Sequence, residues 1–139
     1  MNLEYNKSVA RRVFEDLVNQ RNFSVLDTDF AADFVDHDAA PGMSVTKAGL
    51  REFFERLFLA CPDLHVTVED SVAEGDRVVV RTTWRGTHTG PMFGLPPTNA
   101  RFAVKGIVIW RLKSGLLAER WGVTDLFSLR QQLAGEKAD

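Results

Sequence analysis

The sequence predicts one α+β domain in which helices pack against one face of a curved sheet. Three observations support this prediction. Helical spacing of apolar residues dominates before Pro62, and the alternation typical of strands dominates after it. The connections between the later strands are too short to hold a crossover helix, so neighbouring strands should be antiparallel. A length of 139 residues suits a single domain spanning 1–139.

Two long helices are predicted in the first half of the chain. In "SVARRVFEDLVNQ", apolar residues recur every three or four positions and charged residues lie opposite them. The segment "TKAGLREFFERLFLAC" carries one apolar stripe that includes Phe54, with Thr46 as a candidate N-cap and Pro62 as the stop. Between them, "SVLDTDFAADF" predicts one or two short helices with Ser24 as the N-cap.

Four strands are predicted after Pro62. Two lie in "DLHVTVEDSVAEGDRVVVRTTWRGTH" and meet at the turn "EGD", the third is "RFAVKGIVIWRL", and the fourth is "LLAERWGVTD" after the turn "KSG". A short helix, "LFSLRQQL", follows Asp125. The small and polar residues 134–139 should form a frayed tail.

Composition excludes several classes of partner. Hydrophobic residues make up 45% of the chain and charged residues 26%, as in ordinary globular proteins. A net charge of −2 gives no strong attraction to nucleic acid or to anionic membranes. No segment reads as a signal peptide or a membrane span. Because Cys61 is the single cysteine, no intrachain disulfide can form, which fits a cytoplasmic protein. From the charge and the absence of an apolar span, we expect neither nucleic-acid nor membrane partners.

The last strand raises the question of a functional carboxylate. Regular alternation puts Glu119, Trp121, Val123 and Asp125 on one face, and the apolar pair among them predicts that this face points inward. Burial would raise the pKa of the Asp125 carboxyl and suit it to proton transfer near neutral pH. The alternative, which the residues alone favour, is that Asp125 caps the final helix, because aspartate is a preferred N-cap and the helical pattern begins just after it. The two roles compete, because accepting backbone N–H bonds lowers the pKa of a carboxyl.

Two histidines are further candidates. Alternation puts His88 on the inner face with Trp84, where it could donate a hydrogen bond to a developing oxyanion. The alternative is a loop histidine bonded to the backbone. His37 lies in "DFVDHD", where the helical region passes into a short extended piece. Asp36, His37 and Asp38 cannot all face one ion on an extended chain, so they do not predict a metal site.

The segment "TGPMFGLPPTNA" is long for a hairpin connection and contains Met92, Phe93 and Leu95. These apolar residues form either a small satellite core or a hydrophobic lid over a cavity, and ordered loops of this length are often functional. Together with Trp84, Trp121 and Phe54, they are the candidate substrate contacts.

The outer face of the predicted sheet mixes apolar and basic residues. Its members are Arg77, Val79, Arg81, Thr83 and Arg85 on one strand and Lys105, Ile107, Ile109 and Arg111 on the next. Such a face suits a homodimer contact, and we expect a homodimer.

Three segments together resemble the SnoaL-like polyketide cyclases of the nuclear transport factor 2-like superfamily. They are "FVDHD", "GTHTGPMFGLPPTNARFAVKGIVIWRL" and "ERWGVTDLFSLRQQL", and the likeness extends over about the whole chain. The resemblance implies a cone-shaped antiparallel sheet wrapped around N-terminal helices, with a pocket at one end that residues near His37 help to line. It also implies intramolecular aldol cyclisation of a polyketide ester without metal or organic cofactor, with Asp125 as the acid–base. Two positions depart from the pattern. Arg120 stands where relatives often have histidine, and Pro91 where an acidic residue is frequent; the predicted parity turns Arg120 away from the pocket.

Two function classes follow from these observations. The first is a cofactor-free enzyme that cyclises, isomerises or hydrolyses a hydrophobic carbonyl compound. The second is a binding or interaction domain of the same fold without catalysis. The chain has no glycine-rich dinucleotide turn, and His37, His65 and His88 lie in separate segments, so we expect no nicotinamide and no metal.

Overall fold

The structure is a computed structural model that describes residues 2–92 and 94–135. Its elements, in chain order, are α1 (Leu3–Arg12), a π-helical segment (Val13–Val18), α2 (Val25–Thr28), β1 (Phe30–Asp36), α3 (Lys47–Ala60), β2 (His65–Glu74), β3 (Arg77–Thr87), β4 (Arg101–Lys113), β5 (Leu116–Thr124) and α4 (Leu126–Leu133). The predicted α+β class is confirmed. Most of the predicted frayed tail, residues 136–139, lies outside the described residues.

The strands form one sheet in the order β1-β5-β4-β3-β2. Strands β2 to β5 are an antiparallel meander, as predicted, and its hairpins turn at Gly75 and Gly115, both with positive φ. Glycine suits these turns because it adopts positive φ without a steric penalty. Strand β1 instead pairs in parallel with β5, and so covers the edge that the meander would leave open.

The prediction of helix across "FAADF" was wrong. Phe30 and Phe34 are four residues apart and both buried, which is the spacing of a helix face. They belong to β1, in which residues four apart also share a face, so both rings reach the core. Pairing with the open edge of β5 therefore overrides the local helical pattern.

The core lies between the inner face of the sheet and the helices. Inward residues of β3 and β4 alternate with exposed ones, as predicted, and pack against buried residues of α1, the π-helical segment and α3. Trp110 is at the centre, with ring centroids 5.8 Å from Phe30, 6.3 Å from Phe34 and 6.4 Å from Phe14. Each buried aromatic ring contributes about 1.5–3 kcal/mol relative to an exposed one. Among the described residues, no helix has the length and apolar character needed to cross a bilayer.

The predicted inward face of β5 was wrong. Across β4, Trp110 lies opposite Arg120, and Ile109 lies opposite Trp121. Because opposite residues of an antiparallel pair share a face, Arg120 and Gly122 point inward with Trp110, whereas Trp121 points outward with Ile109. The small residues Gly122 and Thr124 line a cavity on the inner side of β5. The bulky Trp121 instead stacks on the ring of His37 at the outer face.

Candidate active site

A largely apolar cavity of about 280 Å³ lies between the inner face of the sheet, α3 and the segment 38–44. This volume is close to the lower end of small-molecule pockets, roughly 300–1,000 Å³. Phe54 and Trp84 contribute stacked rings to its wall, with centroids 6.3 Å apart. Among the described residues that line the cavity, the charged ones are Asp36, Asp38 and Arg120. We call these three residues the Asp–Arg cluster.

Hydrogen bonds fix the geometry of the Asp–Arg cluster. Arg120 Nη1 donates to Asp36 Oδ1 at 3.0 Å, and the Asp38 amide donates to the same oxygen at 3.0 Å. The Gly122 amide donates to Asp38 Oδ2 at 2.9 Å. Asp36 is buried, and a buried carboxylate is tolerated only when it is paired and hydrogen-bonded. The cluster is therefore held in place before any ligand arrives.

The pairing of β1 with β5 explains why these residues meet. Asp36 lies in register with Arg120, and the His37 amide donates to the Arg120 carbonyl at 2.9 Å. Side chains alternate along an extended chain, so Asp36 and Asp38 reach the cavity while His37 turns to the other side.

His37 lies on the outer face of the sheet. Its ring stacks on Trp121 with centroids 4.8 Å apart, and its Nε2 is 2.8 Å from Glu119 Oε1. Hydrogen bonds from Arg111 and His37 hold the pKa of Glu119 below its ordinary value. The structure thus brings His37, Trp121 and Glu119 together, but away from the cavity, and their placement gives no support to the predicted roles of His37 in catalysis and of Trp121 in substrate binding.

His88 anchors the long loop rather than the cavity wall. It is fully buried, as the alternation predicts, but it is not among the described residues that line the cavity. Its Nδ1 is 3.0 Å from Thr98 Oγ1, and its backbone bonds to Asn99 and Ala100 at 2.8 and 3.0 Å. Each of these partners follows the apolar part of the loop, so His88 fastens the end of the loop to β3.

The loop contributes one described residue to the cavity wall. Met92 is buried and lines the cavity, and its backbone pairs with that of Leu95 at 3.1 and 2.9 Å. Leu95 is exposed and is not among the described lining residues. Phe93 lies outside the described residues. The placement of Met92 is compatible with the predicted lid, and the substrate contacts proposed for Trp84, Phe54 and Met92 stay predictions.

Asp125 is the N-cap of α4. Its Oδ1 accepts a hydrogen bond from the Ser128 amide at 3.0 Å, and the residue is exposed. Thr124 and Leu126 on either side of it line the cavity, whereas Asp125 is not among the described lining residues. The structure therefore matches the cap, and the acid–base role stays a prediction.

The sequence model for SnoaL-like polyketide cyclases matches residues 8–133. The chain belongs to this family. Among solved structures, TsrD from Streptomyces laurentii is 28% identical, with a TM-score of 0.87 over 96% of this chain and 97% of that chain. IdmH from Streptomyces antibioticus, a candidate polyketide cyclase, is 27% identical, with a TM-score of 0.81 over 93% and 98% of the two chains. AclR from Streptomyces galilaeus, a candidate hydroxylase, is 25% identical, with a TM-score of 0.84 over 99% and 86%. A search of curated proteins gave no significant match.

Sequence reasoning missed the Asp–Arg cluster of this SnoaL-like protein. The predicted parity of β5 turned Arg120 away from the pocket, and Asp36 and Asp38 were considered as ligands of a metal ion, which their spacing excludes. The available signal was the spacing of the two carboxylates. Two residues apart on an extended piece, they share a face, and that face is opposite to the one occupied by His37.

Proposed function

We propose that this SnoaL-like protein is a cofactor-free enzyme that performs an intramolecular aldol cyclisation on a hydrophobic carbonyl or ester compound. The observation that carries the proposal is the meeting of two carboxylates and one guanidinium in the wall of an otherwise largely apolar cavity. Membership of the polyketide cyclase family supports the reaction class. The cavity volume of about 280 Å³, near the lower end for small-molecule pockets, supports a small substrate.

The reaction consists of proton transfers and the formation of one carbon–carbon bond. A base removes a proton from the carbon next to one carbonyl, and the resulting enolate carbon attacks a second carbonyl of the same molecule. A carbon–carbon bond forms, and the new alkoxide takes up a proton, so no electrons are gained or lost overall. A positioned carboxylate contributes about 10²–10⁴-fold to such a step.

We assign the proton transfer to Asp38. Its Oδ2 is held by the Gly122 amide, while its Oδ1 accepts no hydrogen bond from the described residues. Asp36 has one oxygen committed to both Arg120 and the Asp38 amide, which suits it to positioning. The resemblance points instead to Asp125, whose carboxylate would have to turn toward the cavity and release the Ser128 amide.

Three asparagine variants decide between these carboxylates. Asp38→Asn should lower turnover of aryl β-polyketo esters at least about 100-fold, because the amide cannot accept the proton. Asp125→Asn should stay within a few-fold of the wild type. The turnover of Asp36→Asn should lie between those of the other two variants, because the substitution weakens the ion pair that positions Arg120. Product formation is followed by chromatography and NMR, and thermal melting checks that each variant is folded.

Asp33→Asn is the matched control, since Asp33 is an exposed carboxylate of β1. A large loss in Asp125→Asn alone would transfer the acid–base role to Asp125. Full activity in all three variants would refute carboxylate catalysis, and binding without turnover of any ester would favour a non-catalytic binding domain.

A further inference from the structure

Arg120 is the cation of the cavity wall, and its neighbours fix its guanidinium. Asp36 holds Nη1 at 3.0 Å from one side. On the other side the guanidinium lies over the backbone of Gly122. A Cβ at that position would lie 2.6 Å from Arg120 Nη2 and 2.9 Å from Cζ, closer than packed atoms allow. Gly122 therefore leaves the space that the guanidinium occupies.

The remaining N–H groups of Arg120 are available. A guanidinium carries five N–H donors in a planar fork. Among the described residues, Arg120 donates only through Nη1. Neither Nε nor Nη2 is among the fully buried nitrogens without a partner in the described residues, and the side chain is 22% exposed. Because Arg120 lines the largely apolar cavity, donors of its fixed guanidinium that have no protein partner can bind an oxygen atom of a ligand there.

The charges of the Asp–Arg cluster indicate which oxygen this is. Two carboxylates and one guanidinium give the cluster a formal charge of −1, which disfavours a ligand that arrives as an anion. A neutral carbonyl avoids this repulsion. When Asp38 takes its α-proton, that carboxylate becomes neutral and the carbonyl oxygen becomes anionic next to Arg120. The guanidinium then stabilises the negative charge as it develops.

We propose that Arg120 is the oxyanion-binding residue of the cavity, and that it contacts the oxygen of the substrate's enolisable carbonyl through N–H groups that have no protein partner. Gly122 is the positioning residue that makes this placement possible. The inference rests on the proposed function and assigns the electrophilic half of the same reaction. In this step the α-carbon loses a proton to Asp38. The electron pair of that C–H bond forms the C=C bond of the enolate, and the π pair of the carbonyl moves onto its oxygen.

The test uses a nitronaphthol whose absorbance reports its ionisation, because a naphtholate resembles an enolate in charge and shape. Asp38→Asn serves as the background, since its neutral side chain imitates the protonated Asp38 that follows proton transfer. We expect the bound probe to ionise readily in this variant. Adding Arg120→Gln should raise the pKa of the bound probe by about 1–3 units, the usual effect of removing an adjacent opposite charge. Gly122→Ala should also raise the pKa of the bound probe, because the new methyl group displaces the guanidinium of Arg120. This variant retains the charges of both Arg120 and Asp36.

Arg85→Gln in the same background is the control for charge, because Arg85 is exposed on the outward face of β3. It should leave the ionisation unchanged. A bound probe whose pKa is the same with and without Arg120 would overturn the inference and leave the Asp38 test standing. Failure of the probe to bind at all would contradict the use of the cavity as a binding site and, with it, the role of Arg120. Once a substrate is found, Arg120→Gln should lower kcat more than it raises KM. A change in KM alone, confined to substrates with a free carboxylate, would instead mean ground-state recognition and contradict the proposal.

Discussion

The carboxylate of Asp125 satisfies one of the free N–H groups at the start of α4. Asparagine caps a helix as well as aspartate does, whereas alanine does not. Asp125→Ala should therefore lower the free energy of unfolding by about 0.5–2 kcal/mol, and Asp125→Asn should leave it almost unchanged. Urea unfolding measures both. Asp33→Ala is the control, and equal stability of the alanine variant and the wild type would contradict the cap.

Glu119 gives a second prediction for a single residue, one that depends on pH. Hydrogen bonds from Arg111 and His37 lower the pKa of Glu119 in the folded protein. A lowered folded-state pKa means that the contribution to stability is present at neutral pH and is lost as the pH falls through that pKa. Glu119→Gln should thus be less stable than the wild type at neutral pH, and the difference should shrink in acid. Unfolding curves between pH 7 and pH 3 follow it. Glu74→Gln, at the exposed β2–β3 hairpin, is the control, and a difference that does not depend on pH would exclude this explanation.

At the scale of elements, the loop that follows β3 depends on one buried histidine. Thr98 bonds to His88 Nδ1 through its hydroxyl at 3.0 Å, and its amide is 3.4 Å from the same nitrogen. Thr98→Val should lower the free energy of unfolding by about 1–3 kcal/mol, because the buried Nδ1 of His88 loses the hydroxyl that bonds to it at the shorter distance. It should also speed proteolysis within residues 91–100. Thr89→Val, which removes an exposed hydroxyl in the same segment, should do neither. Equal cleavage rates in the two variants would show that His88 does not hold the loop.

The elements that sequence could predict are those whose signal is local. The meander strands follow from alternation and from turns at Gly75 and Gly115, and the end of α3 follows from Pro62. Strand β1 could not be predicted in this way, because its conformation depends on pairing with β5, distant along the chain. The inner face of β5 was also predicted wrongly from the sequence. Its apolar Trp121 faces outward, and the inner Gly122 leaves room for the cavity, so hydrophobicity alone gives the wrong side.

At the scale of the whole molecule, a row of apolar side chains crosses the outer face of the sheet. Val72 lies opposite Val79, Val79 opposite Ile109, and Ile109 opposite Trp121. Beside this row, Ile107 is 52% exposed and lies opposite Val123, which is 76% exposed. Contiguous apolar surface of this kind marks interaction sites. We propose that a second copy of the chain covers it, which keeps the homodimer expected from the sequence as a proposal.

The charges next to the row allow such burial. Arg81 already pairs with Asp70, and Arg111 with Glu119, so covering the face leaves neither arginine as an isolated buried cation. In an isologous dimer each substitution is repeated on both partners, so one new charge at the contact acts twice. Ile107→Glu should therefore shift the protein from dimer to monomer at micromolar concentration. Leu59→Glu, which charges an exposed position of α3, should leave the dimer intact. Sedimentation velocity distinguishes the two states. A wild type that sediments only as a monomer would contradict the dimer, and a dimer that persists in Ile107→Glu would place the contact on another face.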